Sequence, residues 1–212
     1  MSELKIKTGK DIPAEDNLLL TLIVNSAWKE LIETDQEMMG KRLNSGNLFL
    51  AAYDLATDDD LIYGVEKGIF PPTTTPIPVG LLETIAIKTH GFYENVPKDY
   101  FSLTQNGLWQ EVPKDADTLI MVDVTGLPTR TGKKSKGEVK TIITHAKNLL
   151  SELPYRHVWT FTPDIEAVRK WHESMGAIDT QYKIPCARPG WKVPAVNLMD
   201  YSHLIKKDDI LR

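Results

Sequence analysis

Thr118-Leu119-Ile120-Met121-Val122-Asp123-Val124-Thr125 leads through Gly132-Lys133-Lys134-Ser135-Lys136-Gly137 into Val139, Ile142, Ile143, Ala146, Leu149, Leu150 and Leu153. The first run is β-branched and mostly apolar, the composition of a central strand covered on both faces. The last set recurs at offsets of 3, 4, 7, 10, 11 and 14 from Val139, which is one face of an amphipathic helix closed by Pro154. A strand that feeds a Gly- and Lys-containing loop opening a long helix gathers backbone N–H groups and the positive helix end at one spot. That arrangement favours phosphate. A solvated lysine run has the same composition.

Between 130 and 140 stand five basic residues, Arg130, Lys133, Lys134, Lys136 and Lys140, and one acid, Glu138, so this stretch carries +4 and the remainder -8 of a net -4. Gly132 and Gly137 have the spacing of a P-loop, which continues Lys-Ser/Thr; here Glu138 and Val139 follow. A carboxylate in place of the phosphate-binding ammonium repels a nucleotide, so an NTPase is excluded.

Outward from this centre, His157 to Thr162 is a strand, and Pro163-Asp164 opens a helix with Asp164 as N-cap and Ile165, Val168, His172 and Met175 on one face, ended by Gly176. Ala177 to Ile184 and Ala195 to Tyr201 are two closing strands around Ala187-Arg188-Pro189-Gly190. Upstream, Leu4 to Thr8 alternates as a strand. Leu20, Val24, Ala27 and Leu31 line a helix reaching about Glu33, and a second helix covers about Gln36 to Leu43. Leu48 to Tyr53 is a strand. The order is β-α-α-β-β-β-α-β-α-β-β.

Residues 57–117 differ from their flanks. They hold six of the 13 prolines and seven aromatics, among them Tyr63, Tyr93, Tyr100 and Trp109. Inside the segment Val79 to Lys88 reads as a strand, and proline spacing predicts ordered loop for much of the rest. Decoration and substrate binding are both open for it.

A chain of 212 residues with 42% hydrophobic and 25% charged residues reads as one globular domain, 1–212, with this insertion-like region. The net charge argues against a general nucleic-acid or membrane-surface coating. The seven-residue run Leu18 to Val24 is far short of the roughly 20 residues of a spanning helix. Asp11, Glu15 and Asp16 precede it where a secretory signal carries positive charge. One cysteine, Cys186, forms no intrachain disulfide, so the cytoplasm is the expected address. The histidines, at 90, 145, 157, 172 and 203, form no close-spaced metal pair, and no metal is expected.

Lys134-Ser135-Lys136-Gly137-Glu138-Val139-Lys140-Thr141-Ile142-Ile143 resembles the acetyl-CoA signature of the GNAT N-acetyltransferases. Trp171-His172-Glu173-Ser174-Met175-Gly176-Ala177 is similar to that family's second motif, about 30 residues on with a strand between. The loop after Val124 is longer than is usual, so Arg130 is a second match for the motif's Arg besides Lys134. The resemblance implies an α/β fold with a mixed, mostly antiparallel central sheet flanked by helices. It also implies acetyl-CoA as cosubstrate and transfer of the acetyl group to a primary amine in a ternary complex.

On the same resemblance, the backbone of Ser135, Lys136, Gly137, Glu138, Val139 and Lys140 cradles the pyrophosphate, Val122 and Val124 pair with the pantetheine, and an N–H near Val124 holds the thioester oxygen. His172 stands where the family places a Tyr acid, and half-buried packing is its alternative. Glu83 and Asp123 are the nearest candidate bases, or a water chain serves. A non-catalytic acyl-CoA-binding or sensor domain and a small nucleic-acid-binding module remain as other readings. Asp58-Asp59-Asp60, Glu94 and Asp99 fit a cationic acceptor and equally a solvated acidic face.

Overall fold

In a computed structural model, residues 4–29, 32–69, 71–109, 111–130, 137–185 and 195–205 are described. Lys134, Ser135, Lys136, Cys186 and the turn at 187–190 lie outside them. The described elements are β1 (Lys5–Thr8), α1 (Asn17–Trp28), α2 (Gln36–Asn44), β2 (Phe49–Asp54), α3 (Asp58–Glu66), β3 (Ile77–Ile87), α4 (Tyr100–Thr104), β4 (Thr118–Gly126), α5 (Glu138–Leu150), β5 (His157–Pro163), α6 (Glu166–Ser174), β6 (Ile178–Pro185) and β7 (Ala195–Asp200). The strands form one sheet in the order β1-β2-β3-β4-β5-β7-β6. Every neighbouring pair is antiparallel except β4 and β5. The expected mixed, mostly antiparallel sheet with flanking helices is the one observed.

Two helices fall where loop was expected. Four of the six prolines of the 57–117 region cluster at 71–78, and 57–70 holds none. There Thr57 and Asp60 form a reciprocal capping box that starts α3. Asp99 caps the short α4, accepting from the Ser102 N–H. Pro78 sits inside central strand β3 because the register slips there between Ala52 and Tyr53, and a bulge tolerates a residue without an N–H. Helix α1 stops at Trp28 rather than near Glu33. The Asn25 carboxamide accepts from the Thr34 N–H and donates to the Thr34 carbonyl, each at 2.8 Å, so the chain has already turned back. Asp164 is not the cap of α6. Ile165 holds that position, and the Asp164 carboxylate is taken by Arg169 and Lys183.

Strand alternation assigns the helices to two faces. A Cβ on Gly80 would lie 3.3 Å from Ile142 of α5, whereas Glu83, three residues on, meets Arg42 of α2. So α5 covers one face and α2 the other. Helix α1 packs with α2, and α4 joins that side through Tyr100 on Asp123. Helix α6 joins α5, since Lys147 donates to the Met175 carbonyl at the end of α6. Among the described residues no helix is long and apolar enough to cross a membrane.

Candidate active site

Strands β4 and β5 pair from Thr118 opposite His157 to Met121 opposite Thr160. Beyond that point β4 stays with β3 as far as Gly126, and β5 follows β7. The two strands therefore part and open a slot in mid-sheet. The Thr160 hydroxyl donates to the Met121 carbonyl at 2.9 Å and closes its base. At the same level β4 has a bulge: Asp123 faces Glu83, Met121 faces Thr84, and Val122 between them has no partner position on β3. A bulge bends its strand and re-aims the adjacent groups. Here it lies where β4 leaves β5.

One wall of the slot leads to the start of α5. Gly137 is its N-cap at φ 90°, a left-handed conformation suited to glycine, and a Cβ there would meet nothing within 4 Å among the described residues. The first-turn N–H groups have no partner within the helix by geometry. Val139 packs toward Gly126 at the end of β4, a Cβ on which would lie 3.9 Å from its methyl. Lys140 is exposed.

Arg130 and Glu138 are brought together, but in the interior. The Arg130 guanidinium, 4% exposed, donates to Asp54 at 2.7 Å, to Asp60 at 2.6 Å and to the Leu55 carbonyl at 2.6 Å. Glu138 lies 3.7 Å from it. Thus Arg130 is not presented to a phosphate as expected: its fork binds α3 and the end of β2 to the start of α5. The same contacts give Asp60 a structural partner and Asp99 caps α4, which weakens the acidic-face argument for a cationic acceptor.

Glu83 and Asp123 sit side by side across β3 and β4, both wholly buried. Arg42 donates to Glu83 at 3.1 Å and to the Gly107 carbonyl at 3.1 Å, and its guanidinium lies 4.0 Å over the Trp109 ring. The Tyr100 hydroxyl donates to Asp123 at 3.1 Å. Burial raises the proton affinity of both carboxyls, and the Asp123 charge raises that of Glu83 further against the opposing pull of Arg42. Burial and the adjacent Asp123 charge together favour the protonated form of Glu83. Nothing in the local sequence marks Arg42 or Tyr100 as members of this cluster; they arrive from 41 and 23 residues away.

His172 lies on the other face. It is 8% exposed, and its Nδ1 is 2.8 Å from the Tyr201 hydroxyl. Burial pushes its pKa down to about 4, so the ring is neutral near pH 7. His172 would therefore donate from a neutral imidazole, the environment being dry as its burial shows. Glu83, Asp123 and Tyr100 thus lie on the α2 and α4 face of the sheet, and His172 with Tyr201 on the α5 and α6 face.

No family model and no curated protein matches the chain in sequence. Solved structures do match in shape. The loading GNATL domain of CurA from Lyngbya majuscula superposes with TM-score 0.61 at 13% identity, over 94% of this chain and 98% of that one. Arabidopsis thaliana NAA60, in complex with acetyl-CoA, gives TM-score 0.61 at 13% identity over 94% and 99%. This is the GNAT fold. YncA from Salmonella typhimurium, a putative acetyltransferase solved with its cofactor acetyl-CoA, agrees over 98% of this chain and 97% of its own with TM-score 0.55 at 12% identity. The GNAT slot of this chain is therefore the parting of β4 and β5 beneath the first turn of α5.

Proposed function

We propose that residues 1–212 form one acetyltransferase domain that moves an acetyl group from acetyl-CoA to a primary amine by direct attack. The observation that carries this reading is the coincidence of the β4 bulge, the β4–β5 parting and the glycine-capped N-terminus of α5 at one place. Three fold neighbours crystallised with acetyl-CoA or a CoA analogue support the choice of cosubstrate.

Gly137, left-handed and without a Cβ, fits the close approach of a phosphate to the backbone at the start of α5, where helix N–H groups and the positive end of the helix favour an anion. In this reading the stretch Lys134, Ser135, Lys136, Gly137, Glu138, Val139 and Lys140 holds the pyrophosphate. Glu138 contributes its backbone, its side chain being buried. Val122 and Val124 pair with the pantetheine along the free edge of β4, and the bulge turns a backbone N–H toward the thioester oxygen, where negative charge develops. Acetyl-CoA supplies the activated acyl group. The Glu83–Asp123 pair takes the proton lost by the acceptor ammonium, and His172, hydrogen-bonded to Tyr201, faces the leaving sulfur as donor. A CoA thiol, like a cysteine with pKa about 8.5, accepts that proton readily.

The test is binding before turnover. Acetyl-CoA at a hundredfold excess over its dissociation constant should stabilise the fold by about 2.7 kcal/mol. A melting curve unmoved at millimolar acetyl-CoA overturns the reading. A thiol-release screen of amines then separates an enzyme from a domain that binds CoA without turnover.

A further inference from the structure

The two carboxyls available as base have no exposed surface. An acceptor amine therefore cannot touch Glu83 or Asp123 directly. Tyr100 does touch Asp123, through the 3.1 Å hydrogen bond of its hydroxyl, and is itself partly exposed. Its ring belongs with Val122 and Phe161, which border the slot on β4 and β5, to the apolar cluster on this face. Trp28 of α1 stacks on it at 6.5 Å and 17°, and Trp109 meets it edge-on at 6.5 Å. The phenol is thus fixed in direction by rings from two other segments.

We propose that Tyr100, a residue of the insertion-like region, is a catalytic proton relay that connects the acceptor amine in the slot to the buried Asp123–Glu83 pair. The proposal rests on the acyl-transfer reading. The acceptor ammonium passes one proton to the Tyr100 oxygen as the Tyr100 hydroxyl passes its own to Asp123 Oδ2. The freed lone pair of the nitrogen forms the bond to the acetyl carbon, and the carbon–sulfur bond breaks. A second nitrogen proton leaves with the thiolate, giving amide and thiol. Asp123 then returns its proton to solvent by the reverse path.

The groups facing this chain of transfers are Arg42 from α2, Glu83 from β3, Asp123 from β4 and Tyr100 from α4. Arg42 keeps the cluster from accumulating negative charge. Burial, with Asp123 and Glu83 nearby, raises the proton affinity of Tyr100, so it rests as a neutral phenol able both to give and to receive. This assigns the 57–117 region a part in substrate chemistry, by way of its short helix.

Tyr100→Phe keeps the ring and removes the hydroxyl. Thiol release from acetyl-CoA is measured with two small nucleophiles, ethylamine, an ammonium at neutral pH, and hydroxylamine, a free base there. The relay predicts that Tyr100→Phe loses about 100-fold in kcat/KM with ethylamine and under about threefold with hydroxylamine, which has no proton to shed before attack. Asp123→Asn should reproduce that pattern, and the double variant should lose little more, as members of one relay do. Acetyl-CoA-induced stabilisation of Tyr100→Phe should equal that of the wild type. Equal losses with both nucleophiles, or no loss with ethylamine, overturn the relay. Absence of thiol release by the wild-type protein with either nucleophile overturns the transfer reading beneath it.

Discussion

His172 shows how burial changes what a residue type can do. A free imidazole titrates at about 6.5, and burial beside Tyr201 lowers the folded value to about 4. Because the folded value is the depressed one, the unfolded chain binds this proton first as pH falls. Stability is whole above about 6.5 and is lost as pH drops through that value toward 4, by about 3 kcal/mol in all. His172→Gln should flatten this acid limb in melting curves taken from pH 7 to 4. If His172 also donates to sulfur, His172→Ala should cut turnover by roughly 10- to 1000-fold and leave acetyl-CoA affinity nearly unchanged, with His172→Tyr recovering part of the rate. Unchanged turnover in folded His172→Ala protein removes it from the mechanism.

At the scale of elements, Arg130 links three that are far apart in sequence. Its guanidinium joins Asp54 at the end of β2, Asp60 in the first turn of α3 and Glu138 in the first turn of α5. Removing the cation would leave buried carboxylates around the gap, a change that typically costs 3–5 kcal/mol. Arg130→Met should therefore lower the melting temperature sharply. It should weaken acetyl-CoA binding by displacing the start of α5, and Arg130→Lys should restore less than half of the lost stability, lacking the fork that reaches Asp54 and Asp60 together. Chemical denaturation of both variants, with acetyl-CoA titrated at low denaturant, checks this. Full CoA affinity in a destabilised Arg130→Met protein would show that α5 is positioned without Arg130.

In the whole molecule the sheet divides the chemistry, with a carboxyl pair on the α1, α2 and α4 face and His172 with Tyr201 on the α5 and α6 face. The buried pair makes stability depend on pH in the direction opposite to His172. Glu83 and Asp123 have raised folded values, chiefly through burial, so their contribution is present at low pH and lost as pH rises through the folded value of Glu83. Glu83→Gln, which keeps the hydrogen bonds of the protonated acid, should leave the melting temperature unchanged in acid and raise it above the wild type in alkali. A parallel fall of both proteins with rising pH would place the alkaline loss elsewhere. The sequence by itself determined the strand–loop–helix unit around 118–150 and the helix carrying His172, because periodicity and glycine placement are written in consecutive residues. It also marked Glu83 and Asp123 singly. Tertiary structure alone decided that these two lie buried side by side, that Arg42 and Tyr100 complete their cluster, and that Arg130 turns inward. Those outcomes depend on strand register and on burial, which consecutive residues do not encode: a one-residue slip of β3 against β4 would send Glu83 to the opposite face from Asp123.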